Sequence, residues 1–256
     1  MKLEKFNNKE LCKDSIYLHI KTGYRKQLSY TDCIYSIFCI HNETVNIWTH
    51  LGTSILFMFL FLSNISNNII ANNYLFYASL GFLCSSIFHI FLCNNIYYKI
   101  SLCIDSTGLF SIIYLSVNSA MSNTLLKSVL INYYYFYSNF YTIYIFTAYL
   151  FFIKKIIETN QVIHISQSLS VITSICYYYI PLLHLYFICN NQFIIFYNRW
   201  NNIFFMWLFC FFIFGLRLPE RLISYKFDYF LNSHNIFHML VSYCACKHYN
   251  ILNYIE

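Results

Sequence analysis

Seven long apolar segments recur along this chain, separated by short polar stretches. They run near Ile47–Leu62, Tyr74–Cys93, Leu102–Met121, Val129–Ile153, Val162–Cys189, Trp200–Leu218 and His234–Asn250. A bilayer core takes about 20 mostly apolar residues per helix, and backbone groups in lipid must pair within their own segment. Each run is therefore predicted to be a membrane-spanning helix. The runs are far longer than the ~10-residue alternating segments of an outer-membrane barrel. The expected architecture is all-α, a seven-helix bundle. Residues 1–40 precede it as a basic arm too short to be a domain, and residues 41–256 form the membrane domain. Asn-Asn pairs starting at Asn67, Asn72, Asn94, Asn190 and Asn201 flank the runs and read as loop punctuation, since Gly and Pro number only 5 and 2.

Composition agrees with this pattern. Hydrophobic residues make up 59% of the 256 and charged residues only 10%, against about 25% charged in soluble domains. The net charge of +6 lies in short segments between apolar runs, not on a soluble basic face, so nucleic acid is excluded as a partner. The 11 Cys include no C-x-x-C pair, and Cys84, Cys176 and Cys210 fall inside apolar runs. They read as small buried hydrophobes rather than a disulfide framework. The arm has no long apolar core with a small-residue cleavage site, so the first span is expected to be the anchor itself.

Charge also sets direction. If the N-terminus is cytosolic, thirteen of the sixteen Lys/Arg are cytosolic, and only Lys127, Arg199 and Lys247 lie outside. That asymmetry is a strong positive-inside signal. Seven spans then place the C-terminus outside. The expected location is the endomembrane system or the plasma membrane, with no further address legible.

Ionisable residues inside a membrane default to functional roles. Of the Asp/Glu, only Asp105 falls within a run, about one turn into the third. His89 lies near the end of the second run, and His234 and His238 open the seventh. With a cytosolic N-terminus, span two ends and spans three and seven begin at the cytosolic face. All four groups therefore share one depth. His234 and His238 are i,i+4 and project from one helical face. With His89 they offer three nitrogens, and three protein ligands plus water is the usual catalytic zinc arrangement. A water on such a zinc ionises near neutral pH. Asp105 could take its proton or orient it. Ser85, i,i+4 from His89, could donate to a developing oxyanion.

Blander alternatives stay open on the residues alone. Each histidine could be an ordinary interfacial side chain, and Asp105 could pair with a cytosolic-side Arg or Lys. His184 follows Pro181 in span five and should sit toward the outer face. His50 opens span one on the cytosolic side and could face the site. His19, His41, His164 and His248 look like arm or interface residues. Asn42-Glu43-Thr44 fits a glycosylation sequon but carries no meaning on a cytosolic segment, and Asn64-Ile65-Ser66 lies outside but close to the membrane.

The stretch Ile40-His41-Asn42-Glu43-Thr44-Val45-Asn46-Ile47-Trp48-Thr49-His50-Leu51 closely resembles the signature before span one of the progestin and adipoQ receptor family, which includes adiponectin receptors and hemolysin-III-like proteins. Thr22-Gly23-Tyr24-Arg25, Ser85-Ser86-Ile87-Phe88-His89, Asp105-Ser106-Thr107-Gly108, Leu218-Pro219-Glu220-Arg221 with Lys226-Phe227-Asp228, and Ser233-His234-Asn235-Ile236-Phe237-His238 follow in the family's order. The resemblance implies seven helices with a cytosolic N-terminus, and zinc (Zn2+) held by His89, His234 and His238 with Asp105 and Ser85 beside the bound water. It also implies kinship with intramembrane hydrolases that cleave lipid amides such as ceramide. Ser106 departs from the aromatic residue that often follows the family Asp, and the short arm leaves any cytosolic or extracellular protein partner open.

Three functions follow as expectations. The first is a zinc-dependent amidase acting on ceramide-like lipids. The second is a signalling receptor or sensor with structural zinc, whose ligand would be a membrane lipid, ceramide-like or sterol. The third is a hemolysin-III-type permeabilising protein, which has little support because no span carries a charged stripe suited to an aqueous pore.

Overall fold

Asparagine starts several of the helices. In the computed structural model, Asn68 Oδ1 accepts the backbone N–H groups of Ile70 (2.9 Å) and Ala71 (3.4 Å). Asn94 Oδ1 accepts those of Ile96 (2.9 Å) and Tyr97 (3.0 Å), and Asn232 Oδ1 that of Asn235 (2.9 Å). Each satisfies N–H groups that the first turn of a helix leaves without a partner. The helices are α1 (Tyr30–Tyr35), α2 (Thr44–Leu62), α3 (Ile69–Phe91), α4 (Tyr98–Leu125), α5 (Asn190–Leu216) and α6 (Ser233–Asn253). A 3₁₀ turn, Ser36–Phe38, follows α1, and two short strands, β1 (Leu3–Glu4) and β2 (Tyr24–Arg25), pair antiparallel. The structure describes residues 3–4, 19–63, 68–94, 96–125, 190–223 and 225–253, with short helical stretches between 143 and 187.

Four segments are long and apolar enough to cross a membrane: Thr44–Leu62, Ile69–Phe91, Tyr98–Asn123 and Tyr197–Leu216. They match predicted spans one, two, three and six. The protein is a multi-span helical membrane protein. Its outward faces carry large apolar side chains, among them Phe59, Leu62, Phe205, Phe209 and Phe212, as a lipid-facing surface should. α6 is of spanning length but carries histidines and other polar residues along its buried side. Predicted spans four and five, with Cys176, Pro181, His184 and His164, lie largely or wholly outside the described residues, as does Asn64-Ile65-Ser66.

α3 packs against α2, α4 and α6. Its approach to α4 is close because two glycines meet there. A Cβ on Gly108 would stand 2.8 Å from both Gly81 O and Cys84 Cβ. Small residues at membrane helix crossings permit this. Gly108 lies one turn beyond Asp105 and Gly81 one turn before Ser85, so the crossing draws those two side chains together. Gly108→Ala should therefore force α3 and α4 apart and destabilise the protein by about 1–3 kcal/mol. A thermal melt in detergent checks this, and an unchanged midpoint would show that the crossing is not tight.

Three expectations need correction. The Asn72 and Asn201 pairs lie inside α3 and α5, and Asn190 is the first residue of α5. Asn68 and Asn94, by contrast, stand between helices and cap the first turns that follow them. Helical backbone pairing near a membrane surface carries through a polar pair because breaking it would orphan amides in lipid. His248 is not interfacial: it is 3% exposed, between the rings of Tyr74 and Trp200, with Nε2 2.8 Å from Ser119 Oγ. His41 is fully buried and belongs to the turn that starts α2.

Candidate metal centre

α3 ends, and α2, α4 and α6 begin, at the same end of the bundle. His89, in the last turn of α3, therefore meets His234 and His238 in the first two turns of α6. One ligand nitrogen from each of the three lies within 4.8 Å of the others. Ring centroids are 5.1 Å apart for His89–His234 and 4.7 Å for both His89–His238 and His234–His238. All three are buried. The depth agreement expected from topology thus becomes convergence.

The cluster fits a cation. Three buried imidazoles turned toward one another leave polar nitrogens without water, which is costly unless something satisfies them. A set of three imidazole nitrogens suits zinc and other borderline metals.

His89 is aimed by a carboxylate. Its Nδ1 lies 2.7 Å from Glu43 Oε2, both side chains being almost fully buried. This leaves Nε2 as the atom free to face the cluster. Asn46 Nδ2 donates to the same Glu43 oxygen at 2.8 Å, and Asn235 Nδ2 donates to Asn46 Oδ1 at 2.8 Å. The chain Asn235–Asn46–Glu43–His89 links α6 to α2 and α3. Burial alone would raise the Glu43 carboxyl. The hydrogen bond and charge of His89, with His234 and Asn46 behind them, more than offset this and hold it well below the usual carboxylate range. A histidine whose second nitrogen meets a carboxylate is the common outer support of a metal ligand.

The turn before α2 places Glu43. Thr44 Oγ1 accepts from His41 N (2.8 Å) and donates to Cys39 O (3.0 Å), while His41 Nδ1 accepts from Glu43 N (3.1 Å). His41 Nε2 then donates to Ser36 O at 3.1 Å. Burial first, then the Arg25 charge, bring His41 down to about 4, so its ring is neutral, as this pattern requires. Asn42 is 3% exposed and cannot accept a glycan in the folded chain.

Three further supports lie outside the apolar runs. Arg25 Nη1 donates to Ser36 Oγ (2.7 Å) and Ile90 O (3.0 Å), and Nη2 to His89 O (2.5 Å). The guanidinium caps the end of α3 at His89 itself. Glu220 receives both the backbone N–H of Ser233 (2.7 Å) and its hydroxyl, fixing the start of α6. Asp228 Oδ2 accepts from Lys21 N (3.1 Å) and Thr22 Oγ1 (2.7 Å), tying the arm to the α5–α6 loop.

Asp105 and Ser85 sit beside the cluster, with the Ser85 hydroxyl in hydrogen-bonding reach of the Asp105 carboxyl. His50 also reaches it. Its ring stacks on His238 at 3.8 Å between centroids and meets Phe82 edge-on at 4.9 Å. Sequence reasoning sorted Glu43 among loop acids and left His50 open. The signal was the spacing Glu43, Asn46, His50, i, i+3 and i+7, which falls on one helical face.

A buried trihistidine cluster at one end of an apolar helix bundle defines an integral membrane protein with a candidate metal centre. The chain belongs to the haemolysin-III related family, whose profile matches residues 38–249. It is 27% identical over 250 residues to an uncharacterized protein of Schizosaccharomyces pombe, covering 90% of this chain and 55% of that one. It is also 43% identical over 56 residues to Heptahelical transmembrane protein 1 of Arabidopsis thaliana, covering 22% of this chain and 16% of that protein. The chain thus spans about half the length of the first relative and a smaller share of the second.

Proposed function

We propose that this protein is a seven-span, zinc-dependent membrane amidase acting on ceramide-like lipids, with its N-terminal arm, residues 1–40, in the cytosol. Direction along the described helices supports the span count. α4 runs from Asp105 at the histidine end to Ser119 beside His248 at the other. α5 starts at that far end, with Trp200 against His248, and returns to place Phe214 5.2 Å from His234. α4 thus ends and α5 begins on the side away from the histidines, which supports the seven-span reading. Arg25, Lys99, Arg217 and Arg221 lie toward the histidine end, in keeping with the positive-inside assignment.

The observation that carries the chemistry is the Asp105–Ser85 pair beside the three histidines. A purely structural site needs no carboxyl–hydroxyl pair beside its histidines. His89, His234 and His238 would hold the zinc, which when bound polarises a carbonyl and acidifies water. Asp105 takes the proton of the attacking water and returns it to the leaving amine. Ser85 donates to the carbonyl oxygen as it gains charge. The buried setting strengthens each of these contacts by excluding water. The substrate is a lipid amide entering from the bilayer, so membrane lipids are the partners.

Asp105→Ala should retain the metal and lose fatty-acid release from ceramide by about 10²–10⁴-fold, the range of a general base. Metal analysis and lipid mass spectrometry on the same preparations read both. Fully metallated wild-type protein that releases no fatty acid would sink the amidase reading.

A further inference from the structure

The arm is fastened to the end of α3 by more than Arg25. Asn94 Nδ2 donates to Leu28 O at 2.8 Å. Tyr30 stacks on Phe91 at 5.2 Å and meets Tyr97 edge-on at 5.5 Å. Between these contacts Cys33 Sγ of α1 and Cys93 Sγ stand 3.7 Å apart, bridging 60 residues of sequence. Both are free thiols. Cys33 is fully buried in a small apolar cluster with Ile47 and Ile90. Cys93 is half-buried and occupies the turn after α3, where the backbone is not held by helical hydrogen bonds.

We propose that Cys33 and Cys93 form an oxidisable dithiol, a modification site that closes to a disulfide on reaction with a hydroperoxide and locks the arm onto the helix end that carries His89. Cys93 is the attacking sulfur, being the accessible one. The hydrogen bond from the Cys33 thiol, and behind it the Arg25 guanidinium, bring the Cys93 thiol down to about 7 against the opposing effect of burial. A thiolate at that position is the reactive form.

The reaction balances in two steps. The Cys93 thiolate attacks the terminal peroxide oxygen, the O–O bond breaks, and the departing alkoxide takes a proton to leave as an alcohol. Cys93 is then a sulfenic acid. Cys33 sulfur attacks the Cys93 sulfur, the S–O bond breaks, and the hydroxyl leaves as water with the Cys33 proton. The hydroperoxide is reduced by two electrons and the dithiol oxidised by two. A thiol reductant reverses the closure by exchange.

The link would lie four residues beyond His89 and eight beyond Arg25. It converts a docked arm into a tethered one, and with it the Arg25 cap on the His89 carbonyl. The pair's reactivity does not depend on the metal or on lipid cleavage.

The test uses the full chain in detergent, treated with hydrogen peroxide, alkylated and digested. The expected product is an intramolecular Cys33–Cys93 peptide, lost on dithiothreitol treatment. Amide exchange over 30–36 should slow by at least about tenfold on oxidation and recover on reduction, as closing a long loop predicts. In Cys33→Ala, Cys93 should instead be trapped by a sulfenic-acid probe. Cys93→Ser, at the half-buried site, should leave Cys33 reduced. No linked peptide, a Cys39–Cys93 link, links only between molecules, or an unreactive Cys93 in Cys33→Ala would each overturn the proposal.

Discussion

His238→Ala should leave the purified protein without stoichiometric metal. The substitution takes the cluster from three nitrogens to two, and its effect should exceed the about 10–100-fold loss typical of removing an outer partner. The structural reason is that nothing described stands ready to substitute. His50 stacks on His238 face to face, so its nitrogens run alongside those of His238 rather than into the same point. Metal binding to the folded state alone stabilises that state by mass action. A wild-type melt should therefore fall on adding a chelator, and the His238→Ala melt should not. His248→Ala is the control, because His248 lies 14 residues further along the same helix than His234, about 21 Å at 1.5 Å per residue. Elemental analysis of the three proteins decides the matter. Equal metal in wild type and His238→Ala would mean that the cluster is not the metal site.

Glu43→Gln is the second large effect and tests the support rather than the ligand. The substitution keeps the side-chain shape and an oxygen within reach of His89, but removes the negative charge that His89 and Asn46 share. Metal affinity should fall by about 10–100-fold with the fold retained. Competition against a chromophoric chelator measures the affinity, and circular dichroism reports the fold. The hydrogen bonds from Thr44 and His41 that start α2 do not use the Glu43 carboxylate, so a lost fold would not be the expected result. An unchanged affinity would reduce Glu43 to a local helix-start residue.

These two expectations also show where local sequence ends. His89, His234 and His238 stand out because ionisable residues are rare in apolar runs, and topology assigns them one depth. Glu43 stands just outside a run, where acids are ordinary. Its role depends on the end of α3 arriving beside the start of α2, which no local pattern encodes. Arg25 is similar: it reads as one of several basic arm residues, yet it is 4% exposed and bonded to the His89 and Ile90 carbonyls. The Asn72 and Asn201 pairs erred in the opposite direction. Composition suggested loops, but the helical backbone ran through them because its hydrogen bonds have no substitute in lipid.

The sequence by itself determined the membrane class, the helical form of the apolar runs that the structure describes and the end of the bundle at which the ionisable residues gather. It could do so because lipid imposes length, apolarity and internal backbone pairing on every crossing segment. Only the tertiary structure decided that three imidazoles converge, that Glu43 aims one of them and that the arm folds back to cap α3. It also decided that Gly81 and Gly108 bring Ser85 to Asp105. Those facts depend on which helix faces meet and how closely, and that is set by packing across residues as far apart as Asn46 and Asn235.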